Sequence, residues 1–556
     1  MTGFSSPSSS RATAEKWLAA EPDADMREEL VTLLAGPDDE LAERFSGRLQ
    51  FGTAGLRAAV GAGPLRMNRL VVRQAAAGLV EHLLAHVPDV AAKGVIIGFD
   101  ARRKSDVFAL DTARVCAARG VRALLFEQIV PTPVLAWNIT EFGAAAGVMV
   151  TASHNPPADN GYKVYLDTGS QIVPPVDTAI SDLIESADPT TVPLAPADHP
   201  LIERLGVAPV DAYLAFAAGV RLCPDVPGVP VAYTAMHGVG GAILLAAFRS
   251  AGLPSPAVVA EQQEPDGSFP TVSFPNPEEP GAMDRLLALA VESGAAIALA
   301  NDPDADRLGA AIPTVDADGS PGWRRLGGDE VGWLLADHIL RHTRPTTGPD
   351  NRLVVTTLVS SSLLATMAAA NGATCLETYT GFKWIGHTVL QHPELRFVFG
   401  YEQALGYLVT GQPLDKDGIT AAIMLAEVAA VAAAEGVTLQ QRLDSIATLY
   451  GRHIVAERSV PMAPADGAEA VDRLRTQPPT SVGGLEVTDV KWFDEAGLLR
   501  LQLGVDVRLQ VRPSGTEPKV KLYGEGIEHD PTALLDALAY LLTLPPTAPP
   551  PTAPPG

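Results

Sequence analysis

The chain reads as an α/β protein, three consecutive strand–helix blocks followed by a smaller α+β unit. Three observations carry this reading. The order strand, helix, strand, helix, strand recurs three times; each third strand ends in a polar cluster; and the last quarter switches to short alternating strands. The first block runs from GVIIGFDARRKS (94–105) through VRALLFEQIV to AGVMV. The second runs from PVAYTAMHGVGG through PAVVAEQQ to AAIALANDPDADR, and the third from RLVVTTLVSSS through ATCLETYT to RFVFGYEQALGY. Lengths differ and residue identity between blocks is low, so this is a repeated architecture and not a fixed-period solenoid. Parallel strands joined by crossover helices put their polar turns at the carboxyl ends, where α/β sheets bind ligands. Three clusters can therefore face one cleft.

Around these blocks the other elements follow in order. Residues 11–48, with periodic Leu and Ala, predict a helical lead-in. ERSVPM, LEVTDVKWFD, LLRLQLG, VDVRLQVRPSG and KVKLYGEG predict an antiparallel sheet, closed by the helix PTALLDALAYLLTL. The tail PPTAPPPTAPPG cannot build a core and is expected to be disordered. The expected divisions are 1–48, 49–205, 206–325, 326–445, 446–543 and the tail 544–556, in keeping with the three or four domains that 556 residues suggest. AAIMLAEVAAVAAAEG, interrupted by Glu427, reads as a buried helix rather than a membrane span. MTGFSSPSSSR lacks the apolar core of a signal peptide. Cys116, Cys223 and Cys375 are far apart and show neither a disulfide framework nor a metal-cysteine spacing, which suits a reducing cytoplasm. A net charge of −24 argues against nucleic-acid binding and requires a local cationic pocket for any anionic substrate.

The motifs that can carry chemistry sit at the block ends. In TASHNPPADNGYKVY (151–165) prolines and an Asn-Gly pair surround Ser153, with His154 beside it and Lys163 close behind. The stretch is either a rigid loop presenting a nucleophile or a surface turn; it is not a GxSxG elbow. NDPDADR places Asp302, Asp304 and Asp306 at alternating positions after a strand, a spacing that lets carboxylates converge on a hard cation such as Mg²⁺. An EF-hand would need Gly and Glu where Arg307 and Pro313 stand, so a calcium loop is rejected. A solvated acidic turn is the alternative. RPSGTEPK (512–519) offers Arg512, Ser514, Thr516 and the amides around Gly515, either a phosphate cradle or a plain hairpin turn. GYEQALGY sets Glu402 and Gln403 at a strand end, where a carboxylate can accept from sugar hydroxyls or simply face solvent. Lys383 in TYTGFKWIG is a phosphate contact or a surface lysine, and Arg57 in FGTAGLR an anion contact or part of a structural turn. AMHGVGGA follows a strand as a nucleotide loop does, and Glu261 ends the next strand, but Ile243 stands where the third glycine belongs.

Together these residues resemble the α-D-phosphohexomutase superfamily of phosphoglucomutases and phosphomannomutases, in order from about residue 50 to about 525. TASHNPP looks like the family's phosphoserine loop, DPDADR its metal loop, GYEQALGY its sugar loop and RPSGTEPK its phosphate loop. FGTAGLR, the Tyr-Glu-Gln-Ala sugar loop and the helical lead-in look most like the phosphoglucomutase-2-type branch, which also contains phosphopentomutases. The resemblance implies three mixed α/β/α sandwich domains plus a C-terminal α+β domain around a central cleft. It implies that Ser153 carries the phosphoryl group, that Lys163 first and His154 second serve as general acid/base, and that Asp302, Asp304 and Asp306 hold Mg²⁺ with the Ser153 phosphate. Arg307 and Arg57 would neutralise the phosphoserine, Glu402 would read sugar hydroxyls, and Arg512, Ser514, Gly515 and Thr516 would grip the distal phosphate. Many hexose mutases carry a serine soon after the sugar-loop glutamate; here the neighbourhood holds Ala404.

The expected activity is a cytoplasmic phosphosugar mutase interconverting α-hexose 1-phosphates and hexose 6-phosphates, glucose first and mannose second, with a sugar bisphosphate as activator. Its partners would be sugar phosphates, with neither nucleic acid nor membrane, in a monomer or dimer. A phosphopentomutase is the main rival, followed by a sugar-bisphosphate synthase. A nucleotide-cofactor oxidoreductase resting on HGVGG and a non-catalytic sugar-phosphate sensor are the readings from other classes.

Overall fold

The computed structural model describes residues 7–52, 55–315, 319–514 and 518–544. The predicted tail at 545–556 lies outside them. Three helices, Pro7–Ala20, Ala24–Ala35 and Asp38–Phe45, form the N-terminal lead-in. They bury Trp17, Leu30 and Phe45 in a core shared with the first sheet.

That sheet contains β1 (Leu56–Ala59), β2 (Val95–Phe99), β3 (Ala123–Phe126), β4 (Ala146–Val150), β5 (Asp159–Leu166) and β6 (Ile202–Leu205), in the order β1-β5-β4-β2-β3-β6. β2, β3, β4 and β6 are parallel, and β5 runs antiparallel to β4. AGVMV is buried along its whole length, as a central strand covered on both faces must be. The reversal from β4 into β5 is the TASHNPP segment.

The second sheet repeats this device with β7 (Val231–Thr234), β8 (Ala257–Val258), β9 (Ile297–Asn301), β10 (Leu308–Val315) and β11 (Pro321–Arg325), in the order β11-β10-β9-β7-β8. β10 is antiparallel to β9, and DPDADR is the reversal between them. In the third sheet β12 (Arg352–Thr357), β13 (Thr374–Thr378), β14 (Arg396–Glu402) and β15 (Gly406–Leu408) take the order β13-β12-β14-β15. Its reversal between β14 and β15 follows Glu402. Each block thus ends its third strand in a tight antiparallel turn, and the turn is where its polar cluster sits.

The fourth sheet is antiparallel throughout: β16 (His453–Pro461), β17 (Ser481–Val482), β18 (Leu485–Phe493), β19 (Leu498–Leu503), β20 (Val507–Pro513) and β21 (Lys519–Ile527), ordered β16-β21-β20-β19-β18-β17. Helices Pro464–Thr476 and Thr532–Thr543 pack onto it around Leu474, Leu501, Leu509 and Leu538. β20 ends and β21 begins within RPSGTEPK, whose residues 515–517 lie outside the described ones.

The first three sheets share one apolar core, which runs from Ile96 and Leu124 through Tyr233 and Leu299 to Val354, Phe399 and Ile423. The fourth has its own. At the centre of the shared core lies the helix Gly418–Ala434, buried along nearly its whole length. Among the described residues no single helix is long and apolar enough to cross a membrane, and the one helix pair that is sufficiently apolar together bends by 89°. Glu427, the polar interruption in the Ala-rich stretch, is fully buried against Arg221 and His338.

Candidate active site

Ser153 is held at φ +52°, a left-handed conformation unusual for a residue with a Cβ, and is 2 % exposed. Its loop is fastened by one arginine. Arg102 donates to the carbonyls of Ser153 and Asn155, both at 2.6 Å, and to those of Pro156 at 2.8 Å and Asp159 at 3.1 Å. The guanidinium fork matches four converging carbonyls, of which that of Pro156 also accepts from the Asp159 amide at 3.0 Å. The sequence reading missed Arg102; its signal was the basic run DARRKS at the carboxyl end of β2, the position where the other strands of the block carry function.

Ser153 Oγ donates to Asp302 Oδ2 at 2.9 Å and lies 3.2 Å from His154 Nδ1. Burial, followed by the charges of Arg307 and Arg57, pushes the His154 pKa well below the ordinary range and so disfavours its imidazolium form. Lys163, carried on β5, turns to the carboxylates instead: its Nζ lies 2.6 Å from Asp304 Oδ2 and 2.8 Å from Asp306 Oδ2. The geometry therefore separates two residues that the sequence had grouped. His154 touches the seryl oxygen, and Lys163 spans the acidic loop.

Asp302, Asp304 and Asp306 are all fully buried, with one oxygen of each within 4.8 Å of the others. Burial first, then the neighbouring carboxylates of Asp306 and Asp304, raise the Asp302 pKa well above the usual range. Lys163 offsets this at Asp304 and Asp306, and Lys416 adds a second cation 3.0 Å from Asp306. Thr132 fixes Asp304 through both its hydroxyl (2.6 Å) and its amide (2.9 Å to the Asp304 carbonyl). Asp304 Oδ1 and Asp306 Oδ1 are nevertheless buried without a hydrogen-bond partner. Three hard oxygen donors, two of them orphaned, fit a small divalent cation. Sequence reasoning also missed Lys416 and Thr132, single polar residues brought in by other blocks.

Arg307 lies 4.0 Å from Asp302 through Nε and 3.4 Å from Glu278 through a terminal nitrogen. Arg57 reaches Asn155 at 3.5 Å, and its Nε is buried without a partner. Both guanidiniums therefore flank the serine loop. The backbone joins the second and third blocks here: Arg307 bridges Gly406, and the Leu308 amide donates to the Leu405 carbonyl. Gly418 begins its helix directly against the metal loop, where a Cβ would collide with the Arg307 carbonyl.

Glu402 is 7 % exposed, its pKa raised by burial against the opposing pull of Lys416 and Arg307. Gln403 does not point free. It accepts from Ser360 Oγ (3.2 Å) and donates to Glu457 Oε1 (3.2 Å), tying the sugar loop to the fourth sheet. Gly328 lies beneath this loop, and a Cβ there would occupy the Gln403 carbonyl. Lys383 is held at a pKa of about 8 by burial, with Asp177 and Glu402 opposing the shift. A cavity of about 230 Å³, walled by Glu278, Gln403, Glu457, Arg508 and Tyr523, separates the sugar loop from β20 and β21. On its C-terminal side Arg512 donates to Tyr523 at 3.3 Å, with its Nε buried and unpartnered. The Ser514 amide closes the hairpin on Lys519. Gly515 and Thr516 lie outside the described residues.

The HGVGG loop has a structural explanation. A Cβ on Gly238 would come within 2.5 Å of Pro303, and one on Gly240 within 2.7 Å of Ala305, so these glycines let the metal loop pack against the second sheet. Glu261 sits in a short 3₁₀ turn on the surface. The nucleotide-cofactor reading loses its only motif.

A buried serine beside three buried carboxylates that could hold a cation, with arginines flanking them, fits an intramolecular phosphotransferase, and comparison with known proteins gives that class. Models of the phosphoglucomutase/phosphomannomutase α/β/α domains I, II and III match residues 48–191, 214–315 and 327–450. A protein of Haemophilus influenzae named "Probable phosphomannomutase" is 40% identical over 474 residues, covering 84% of this chain and 94% of its own. The phosphopentomutase of Homo sapiens is 34% identical over 560 residues, covering 92% of this chain and 90% of its own. A crystal structure of a phosphoglucomutase/phosphomannomutase family protein from Burkholderia thailandensis shares the fold with a TM-score of 0.69 at 20% identity, covering 89% of this chain and 96% of that one. The chain belongs to the phosphoglucomutase/phosphomannomutase family and is a phosphosugar mutase.

Proposed function

We propose that the enzyme interconverts α-hexose 1-phosphates and hexose 6-phosphates through a phosphorylated Ser153 and a hexose bisphosphate, which also serves as activator. The observation that carries this reading is the hydrogen bond from Ser153 Oγ to Asp302 within reach of the His154 imidazole. Phosphoryl transfer requires positioning and charge neutralisation above all. Asp302, Asp304 and Asp306 would hold Mg²⁺, which supplies the positive charge that a phosphoserine of roughly −1.5 to −2 demands. The chain's own residues do the rest. Arg102 holds the loop, Arg57 and Arg307 balance the phosphate, and His154, favoured in its neutral form, is placed to take the seryl proton when dephospho-Ser153 recovers the phosphoryl group. Lys163 anchors the two inner carboxylates. Glu402 and Lys383 would meet the sugar and its phosphate, and Arg512 with the RPSGTEPK turn would grip the distal phosphate. Because either end of the bisphosphate must occupy the same cradle, the intermediate turns over between the two half-reactions.

Ala404 and the 92% coverage by a phosphopentomutase favour a second reading, in which the substrate is a pentose 1-phosphate. Initial rates with glucose, mannose and ribose 1-phosphates at matched concentration, with Mg²⁺ and a trace of the matching bisphosphate, separate the two. A hexose preference supports the first reading; a ribose preference transfers the enzyme to the second.

A further inference from the structure

A cysteine meets two histidines more than a hundred residues further along the chain, away from the serine loop. Cys223 follows the helix Ala208–Ala218, and His338 and His342 stand one turn apart on the helix Gly328–His342. One donor atom from each lies within 4.8 Å of the other two. Cys223 Sγ is 3.5 Å from Nδ1 and 3.7 Å from Nε2 of His342, and the two imidazole centroids are 4.6 Å apart.

Behind them, Glu427 organises both sides of the cluster. Its Oε1 accepts from His338 Nε2 at 2.9 Å and from the Leu222 amide at 2.8 Å. Its Oε2 accepts from Arg221 Nε at 2.9 Å. Arg221 in turn donates to the carbonyls of Cys223 (3.1 Å) and Val226 (2.8 Å). One fully buried carboxylate thus fixes the ring of His338 and the loop that carries the thiol. A proton on Nε2 facing Glu427 leaves Nδ1 as the lone-pair nitrogen of His338. A carboxylate behind a histidine is the arrangement that orients imidazole ligands in metal sites.

We propose that Cys223, His338 and His342 bind a thiophilic divalent cation of the zinc class, with Glu427 as the orienting residue and water completing a tetrahedral shell. Binding releases the Cys223 thiol proton to solvent and forms a thiolate–metal bond. This donor set differs from the all-oxygen Asp302 cluster, so the two sites sort soft from hard cations. The ion would join the segment leading into the second sheet to the helix opening the third block. Glu427 lies nine residues beyond Gly418, roughly 14 Å along a helix whose first residue abuts the metal loop.

Cobalt is the probe. The full chain in saturating Mg²⁺, which occupies the carboxylate cluster, is titrated with Co²⁺ while the thiolate-to-cobalt charge-transfer band is followed. One Co²⁺ per chain is expected to produce the band. The band should vanish in Cys223→Ser, persist in Cys116→Ser and Cys375→Ser, and need about 10–100-fold more Co²⁺ in Glu427→Gln. Zn²⁺ should displace Co²⁺ and raise Tm in the wild type but not in Cys223→Ser. His342→Ala, an exposed position, provides a second loss-of-band variant should Cys223→Ser fold poorly. No band in the wild type, or a band that survives Cys223→Ser, overturns the proposal. Mg²⁺-dependent mutase activity does not use Cys223, so its presence or absence reports separately on Ser153.

Discussion

The first three blocks and the C-terminal unit are joined in opposite ways. Blocks one to three are fused through a continuous apolar core, and their polar loops are cross-linked by buried charge: Lys163 from the first block and Lys416 from the third both grip the Asp loop of the second. The C-terminal unit has its own core and meets the rest mainly through polar contacts. Arg508 donates to the Ser360 carbonyl and Gln510 to that of Leu358, both at 2.7 Å. Glu525 accepts from Ser361 Oγ at 2.6 Å and pairs with Arg508 at 2.7 Å. Among the described residues, the fully buried apolar seam there is small, Val359, Leu498 and Tyr523, with Phe493 and Ala496 half-buried against it. An apolar core resists rearrangement, whereas a hydrogen-bonded interface can exchange its partners with water. The proposed chemistry therefore sits in a fixed body, and the proposed distal-phosphate grip on the part whose interface can most readily exchange partners.

The strongest way to break this comparison is at the fixed end. Ser153→Ala should abolish turnover and the uptake of label from a ³²P-sugar bisphosphate; retained turnover would remove Ser153 as the carrier. Asp302→Asn should lower kcat by about 10³-fold in saturating Mg²⁺, the scale of several kcal/mol of lost metal stabilisation, and chelation of the wild type should reproduce the loss reversibly. Arg102→Met removes a shared donor from four carbonyls, of which that of Pro156 keeps the Asp159 amide, with an expected cost of about 3 kcal/mol in denaturant unfolding together with a drop in kcat. A variant with native stability and full kcat would show that the loop holds itself.

The attached unit is probed by pH. Burial alone would raise the Glu525 pKa, but His453, Arg508 and Ser361 hold it at about 2, against an unfolded value of 4.5. A depressed carboxylate contributes stability that is fully present above 4.5 and is lost as the pH falls toward 2. Glu525→Gln should remove about 3 kcal/mol at neutral pH and flatten the acid limb of a Tm-against-pH curve between those values. An unchanged acid limb would mean that other groups control the interface. The smallest effect is expected at Lys383, which is charged below a pH of about 8 and neutral above it. KM for the sugar phosphate should rise as the pH passes 8, and Lys383→Met should raise KM about 10-fold at neutral pH while removing that rise. A pH-independent KM in the wild type would take Lys383 out of phosphate binding.

What could be read without coordinates was what is contiguous. TASHNPP and DPDADR hold their functional atoms within a few residues, and a strand followed by a polar turn announced each of them. The repeated block order was legible because period and punctuation are local properties. Arg102, Thr132 and Lys416 were not legible: each is a single polar residue whose role exists only once another block arrives beside it. The separate geometry of His154 and Lys163 depended on β5 running antiparallel to β4, which carries Lys163 back toward Asp304 and Asp306. Sequence spacing likewise gave no metal pattern for Cys223, because its companions stand on a helix more than a hundred residues away. Glu427 was read correctly as a break in an apolar helix, but the partners that make it tolerable, Arg221 and His338, come from elsewhere in the chain.

Gly328 carries a lesson for anyone wishing to change what this enzyme accepts. It opens its helix under the sugar loop, with no room for even a methyl group below the Gln403 carbonyl. The loop and the helix start are one interchangeable part, although seventy-odd residues separate them in the chain. Transplanting GYEQALGY from or into a relative without its matching helix start would lift the loop from its seat and tilt Glu402 with it. Grafting experiments on substrate choice should move both pieces together.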